Sequence, residues 1–146
     1  QSLSFVLQAE AAAAFDELTR TNKDDKMVRQ VQNAWPNVFR EARFIPAVEY
    51  INANRARTLL NQKMAILMET IDVYLIPSFY GDNLLRTNLT GHPCVVVPNG
   101  FNDKGRPTSI SFIGDLYEDG NVLAMAKAYQ ETTDWHKQYP PKFKIE

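Results

Sequence analysis

One cysteine, two histidines and six glycines in 146 residues narrow what this chain can be. With Cys94 alone no internal disulfide can form, and its place between Pro93 and a valine run predicts a buried structural thiol, not a reactive one. Two histidines far apart in sequence and a lone cysteine supply no zinc ligand set, so neither a metal nor a cofactor is expected. Apolar runs are short, well below the ~20 residues that span a bilayer, and no basic stretch followed by an apolar one opens the chain. The chain is therefore expected to be soluble and to have no membrane partner. An excess of one charge is also lacking. Sixteen Lys and Arg against 17 Asp and Glu leave a net charge of −1, scattered instead of clustered, which excludes the basic field that holds a nucleic acid backbone. The chain opens on Gln1 without a methionine, which points to a processed or partial form, so the missing leader says nothing about the parent.

What is present is 45% hydrophobic and 23% charged residues, enough for a single globular domain to bury a core. Val6, Leu7, Ala11, Phe15 and Leu18 recur at helical spacing over an alanine-rich stretch and predict a helix from Ser4 to about Arg20. Met27 to Trp35 reads as a short helix stopped by Pro36. Pro46 fits the first position of a long helix to about Thr70, roughly 37 Å at the usual rise, burying Leu60, Met64, Leu67 and Ile71. Asp72 to Pro77 is a short β-rich run closed by proline, read as a buried strand. Ser78 to Pro93 follows as a loop of unusual length, a functional candidate on that ground. Cys94 to Pro98 and Thr108 to Gly114 are strands paired through the turn Asn99 to Pro107. A last helix starts near Asp119 or Asn121, either of them a capping residue, and buries Val122, Leu123, Met125, Tyr129 and Thr133 before Trp135, His136 and Pro140-Pro141 end it. Continuous runs such as Val95-Val96-Val97 need neighbours on both sides, which three strands cannot supply, so an exposed sheet edge argues that sequence is missing.

Several smaller motifs resolve to structural readings. Gly100 to Gly105 has the glycine spacing of a phosphate-binding loop, but Arg106-Pro107 stands where Lys and Ser/Thr should follow, so it reads as a hairpin turn. A Ser-His-Asp triad would have to use His92 or His136, with His92 the better placed, yet no nucleophile elbow accompanies either. Asn88-Leu89-Thr90 matches a glycosylation sequon, a triplet common by chance. Trp135-His136 reads as an aromatic lid over core residues in preference to a stacking platform.

Asn88-Leu89-Thr90-Gly91-His92-Pro93-Cys94-Val95-Val96-Val97-Pro98-Asn99-Gly100-Phe101, followed by Gly105-Arg106-Pro107 and Thr108-Ser109-Ile110-Ser111-Phe112-Ile113-Gly114, resembles the C-terminal region of the amidase signature family. These are serine hydrolases that cleave carboxamide C–N bonds. Asp72 to Pro77 and Thr133 to Pro140 extend the match, in the family's order and spacing. The resemblance implies an α/β fold: the C-terminal portion of a mixed-sheet domain, helices packed on a few strands and a hairpin. Residues 1–146 would be a single partial domain whose N-terminal catalytic part lies outside this chain. The family's Ser-Ser-Lys triad sits in a Gly/Ser-rich segment that this chain lacks. Ser2, Ser4, Ser78, Ser109 and Ser111 are its only serines, none in a glycine-rich run able to offer an oxyanion hole.

By the same resemblance the Ser78 to Pro93 loop helps wall a substrate pocket. Phe79 and Tyr80 are candidates for its apolar wall, and Asp82 and Arg86 for selecting a charged or amine-bearing substrate. Relatives that transfer glutamine's amide nitrogen use an acidic residue in the comparable loop. The expected partners are the missing N-terminal amidase portion, a small amide substrate, and a second copy of the chain where a homo-oligomer covers the open apolar surface. The competing reading is a non-catalytic binding or interaction module. A third, a self-contained hydrolase using His92, is the least supported.

Overall fold

The computed structural model describes residues 3–139, so the expected stop at Pro140-Pro141 lies outside the described residues. The chain divides into two compact units, residues 1–60 and 61–146.

In the first unit, α1 (Ser4–Ala14) and α2 (Asp16–Arg20) occupy the span predicted as one helix. The interruption is at Phe15, with φ −107° and ψ 23°, and its ring is stacked on Phe39 at 5.4 Å between centroids. Helical periodicity carried the reading through this point, because the break comes from a tertiary contact that no local residue announces. A single 3-10 turn, Lys23–Lys26, follows, and the helix expected over Met27 to Trp35 is absent. Instead α3 runs Trp35–Ala42 with Pro36 in its first turn. Proline stops a helix only from its interior; in the first turn its missing N–H has no intrahelical partner to lose. Here Pro36 stands at the start of a helix, where it was expected to end one.

Ala12, Phe39 and Ala42 form a small core, with Ala11, Met27 and Ile45 packed on it. Charges fasten the periphery. Arg40 Nη2 lies 2.6 Å from both Asp24 and Asp25, Asp16 pairs with Arg20 and Arg43, and Tyr50 Oη donates to Glu10 Oε1 at 3.0 Å. The Asp24 carboxylate is buried, but the other pairs are partly exposed and contribute little each, which leaves the packing of α1 on α3 as a main support of this unit.

The boundary falls within α4 (Ala47–Met68), whose first-turn amides of Glu49 and Tyr50 donate to the Pro46 carbonyl. Its buried side chains are Ala53, Met64 and Met68, while Leu67 is 48% exposed and Ile71 lies beyond the helix end. Met64 and Met68 are four residues apart, so Met68 takes the buried place expected of Leu67, and Leu60, four residues before Met64, is half-buried.

The second unit is built on three antiparallel strands, β1 (Val73–Pro77), β2 (Cys94–Phe101) and β3 (Pro107–Gly114), in the order β1-β3-β2. Tyr74 and Cys94 flank Ile113, and Leu75 and Val95 flank Phe112. Only the central strand is buried throughout its second half. Leu75 and Val96 on the two edges are about half exposed, and Cys94 is half-buried, unlike the fully buried setting expected of it. The α6 helix (Asp119–Thr132) lays Val122, Ala126 and Tyr129 on Val73, Val95, Val97, Ile110 and Phe112. Leu123 and Met125, expected in this core, are 58% and 47% exposed, because a helix on one sheet face buries a single stripe. Neither Asp119 nor Asn121 caps α6; the residue before it is Glu118, and Asn121 Nδ2 donates to Glu118 Oε2 instead.

The hairpin follows the sequence reading. Asn102 Oδ1 accepts the amides of Lys104 and Arg106, both at 3.0 Å, and Gly105 at φ +69° completes the turn. A register shift between Pro98 and Phe101 places Gly100 at φ +98° beneath the Trp135 ring. Trp135 packs edge-on to Phe101 and opens the 3-10 turn Trp135–Lys137.

Half-exposed Leu75, Val96, Leu123 and Met125 predict that the isolated chain binds a hydrophobic dye and self-associates. Light scattering that reports a monomer, with no dye fluorescence, would contradict this.

Candidate functional site

The long loop expected between β1 and β2 contains a helix, α5 (Asn83–Thr90). Gly91 ends it in the left-handed conformation at φ +80°, its N–H donating to the Thr87 carbonyl at 2.8 Å. The glycine after Thr90 was the available sequence signal. It was masked by the polar character of the helix itself, because α5 buries Asn83, Thr87 and Thr90 as well as Leu89. At spacings of four and three these polar residues share one face with Arg86.

Beside this helix stands the sheet face turned away from α6. Strand alternation and register put Tyr74, Ile76, Cys94, Val96, Ser111 and Ile113 on that face. Ser111 is fully buried and donates its hydroxyl to Ser78 Oγ at 3.0 Å; Ser78 is 3% exposed. No lysine hydrogen-bonds either hydroxyl among the described residues. Asn83 is 1% exposed, and both polar atoms of its side-chain amide lack a partner. A buried amide in that state is costly unless a water or ligand answers it.

Tyr74 Oη is likewise buried without a hydrogen-bond partner. Burial pushes its pKa up; the nearby Arg86 guanidinium opposes that, and Cys94 adds to it. The guanidinium is close enough to act on the phenol electrostatically, but the geometry does not close into a hydrogen bond.

His92, between α5 and β2, has a fully buried side chain. Its Nδ1 lies 2.8 Å from Thr90 Oγ1, and its unpartnered Nε2 lies 3.8 Å from Asp115 Oδ1. Its hydrogen-bond partner is thus a threonine, not a serine nucleophile. Thr90, the third residue of the sequon, is 5% exposed.

Burial lowers the His92 pKa below its ordinary 6.5, with Asp115 pulling the other way. The unfolded chain therefore binds the proton more readily than the folded one. Stability should hold above about pH 6.5 and fall as the pH drops from there through the lower folded value. His92→Gln should flatten that slope in urea titrations run at a series of pH values; an unchanged slope would assign it to other groups.

Of the residues singled out in the sequence, Arg86 belongs to this polar cluster. Phe79 and Tyr80 stand on the turn between β1 and α5, 85% and 69% exposed. Asp82 precedes α5 and is exposed, with no side-chain capping bond. Its carbonyl accepts the Arg86 amide at 2.9 Å, but no ion pair joins the two side chains among the described residues. Tyr74, Ser78, Asn83 and Ser111 were missed. Alternation along β3 carried a signal for Ser111, set between Ile110 and Phe112 in a run otherwise apolar to Gly114. A separate apolar cavity of about 450 Å³ opens between the hairpin and the last turn, lined by Pro98, Phe101, Trp135 and His136 among others.

No family model matches the chain. It is 30% identical over 111 residues to a glutamyl-tRNA(Gln) amidotransferase subunit of Rippkaea orientalis, covering 63% of this chain and 23% of that protein. With the protein of the same name from Bordetella avium it shares 43% over 56 residues, 38% of this chain and 11% of the relative. The chain thus spans about a quarter or less of the length of these relatives. Its fold is that of a bacterial aryl acylamidase of the amidase signature family, with a TM-score of 0.70 at 18% identity, covering 94% of this chain and 35% of that one. The peptide amidase of Stenotrophomonas maltophilia aligns with a TM-score of 0.66 at 22% identity, over 90% of this chain and 30% of that enzyme.

Proposed function

We propose that this chain, which matches the C-terminal region of amidase signature proteins in sequence and fold, supplies sheet scaffold and substrate-pocket wall to an amide-hydrolysing parent. Residues 1–146 then form part of one larger amidase domain. Its N-terminal portion contributes the Ser-Ser-Lys machinery: a serine attacks the carboxamide carbon, ammonia or an amine leaves, and water hydrolyses the acyl-enzyme. Phe79 and Tyr80 cover the apolar part of the substrate. Asp82 and Arg86 select its charge.

The observation that carries this reading is the agreement of a sequence match and a fold match, both confined to a fraction of their relatives' length. The buried Ser78–Ser111 pair is consistent with it, since among the described residues no lysine is hydrogen-bonded to either hydroxyl. Exposed Phe79 and Tyr80 favour the second reading, a binding module that docks a partner through this turn.

A serine-directed fluorophosphonate applied to the longer protein that contains this segment separates the two. Labelling of a serine outside residues 1–146 is the expected result. A label on Ser78 or Ser111, or none anywhere, would remove the proposed division of labour.

A further inference from the structure

Arg86 is a half-buried residue for which no carboxylate partner stands among the described residues. Among the described residues no Asp or Glu forms an ion pair with it, and Asp82, one helical turn earlier, meets it only through the backbone, its carbonyl accepting the Arg86 amide. The Tyr74 phenol is next to it, and the register places Cys94 on the same sheet row, across Ile113.

A guanidinium with no carboxylate partner beside a buried hydroxyl with no acceptor is a pair that one anion can answer at once. Tyr74 adds a second recognition element, since its buried hydroxyl has no acceptor to donate to. Burial also keeps that proton on the oxygen, so the phenol meets an anion as a donor and not as a competing charge. A guanidinium fork beside an O–H donor suits the two oxygens of a carboxylate, which Arg can hold by paired hydrogen bonds.

We propose that Arg86 and Tyr74 form a subsite for a carboxylate carried by the amide substrate, so that this segment selects amides bearing an anionic group. The proposal rests on the reading of the parent as an amide hydrolase and names the substrate class of that same pocket wall. In it Arg86 supplies the charge, Tyr74 the directional hydrogen bond, and α5 the rigid mount.

The test uses the longer protein and two amides of similar size, succinamate and butyramide, which differ in a carboxylate. Succinamate is expected to be preferred. Arg86→Gln should lower the ratio of their kcat/KM values by about 100-fold, Tyr74→Phe by about 10-fold, and Arg86→Lys by less than Arg86→Gln because the charge remains without the fork. An equal loss for both amides would make Arg86 structural and overturn the proposal.

A second arm needs no turnover. Succinate alone should change the rate at which iodoacetamide alkylates Cys94, followed by peptide mass mapping, and Arg86→Gln should abolish the change. Amide hydrolysis without carboxylate preference and without this effect would sink the subsite and leave the hydrolase standing. An Arg86-dependent effect of succinate in a protein that hydrolyses no amide would keep the subsite as a carboxylate site and sink the hydrolase.

Discussion

Phe112→Ala is expected to cost about 3–5 kcal/mol of unfolding free energy, the range for truncating a buried phenylalanine. Phe112 is 2% exposed on the central strand, flanked by Leu75 and Val95 and covered by Val122 and Ala126. Its ring also lies 5.6 Å from that of Tyr129, so truncation removes an aromatic pair and opens a cavity where three strands and α6 meet. Leu123→Ala, one residue from Val122 but 58% exposed, should change stability by less than about 1 kcal/mol. Urea unfolding of both variants measures the contrast. Equal effects would mean that α6 does not bury the stripe described.

Gly114→Ala is expected to destabilise by about 2 kcal/mol through overpacking instead of a cavity. A Cβ built on Gly114 falls 2.3 Å from Val122 Cγ2, and Val122 is fully buried, so neither partner has room to move. The Gly114 backbone is not in the left-handed region, so the effect is purely one of space. Val122→Ala removes the clashing methyls, and the double variant should therefore lose less than the sum of the two single losses. Simple additivity would show that the strand shifts to accept the methyl and that the close approach of α6 to β3 is not a fixed feature.

These two positions were legible to different degrees in the sequence. Phe112 lies in the run Thr108 to Gly114 that was read as a strand, though its burial was not singled out, and the hairpin was readable from Asn102, Asp103 and Gly105, whose turn chemistry is local. Gly114 closed the strand in the reading, but nothing local shows that a helix five residues later will lean on it. The failures have the same origin. Pro36 was read as a stop because only tertiary context tells an interior proline from one in a first turn. The α1/α2 break depends on Phe39, far along the chain, and α5 was hidden because its buried face is polar.

The candidate site divides along that line too. Arg86 could be named from its loop and its charge. Its neighbour Tyr74 could not, because the two meet only when α5 folds beside the sheet. The buried serine pair and the orphaned Asn83 amide likewise arise from strand register and helix phase together. The resemblance to the amidase signature family, by contrast, was readable from the order and spacing of the Asp72, Asn88 and Gly105 segments, each of which forms part of a strand, helix end or turn of the fold.

The most direct test of the central claim is ammonia release from a panel of simple carboxamides, measured side by side for the longer protein containing this segment and for residues 1–146 alone. The account predicts release by the longer protein and none by the segment, whose buried serine pair has no lysine hydrogen-bonded to it among the described residues. Release by the isolated segment, or by neither protein, would contradict it.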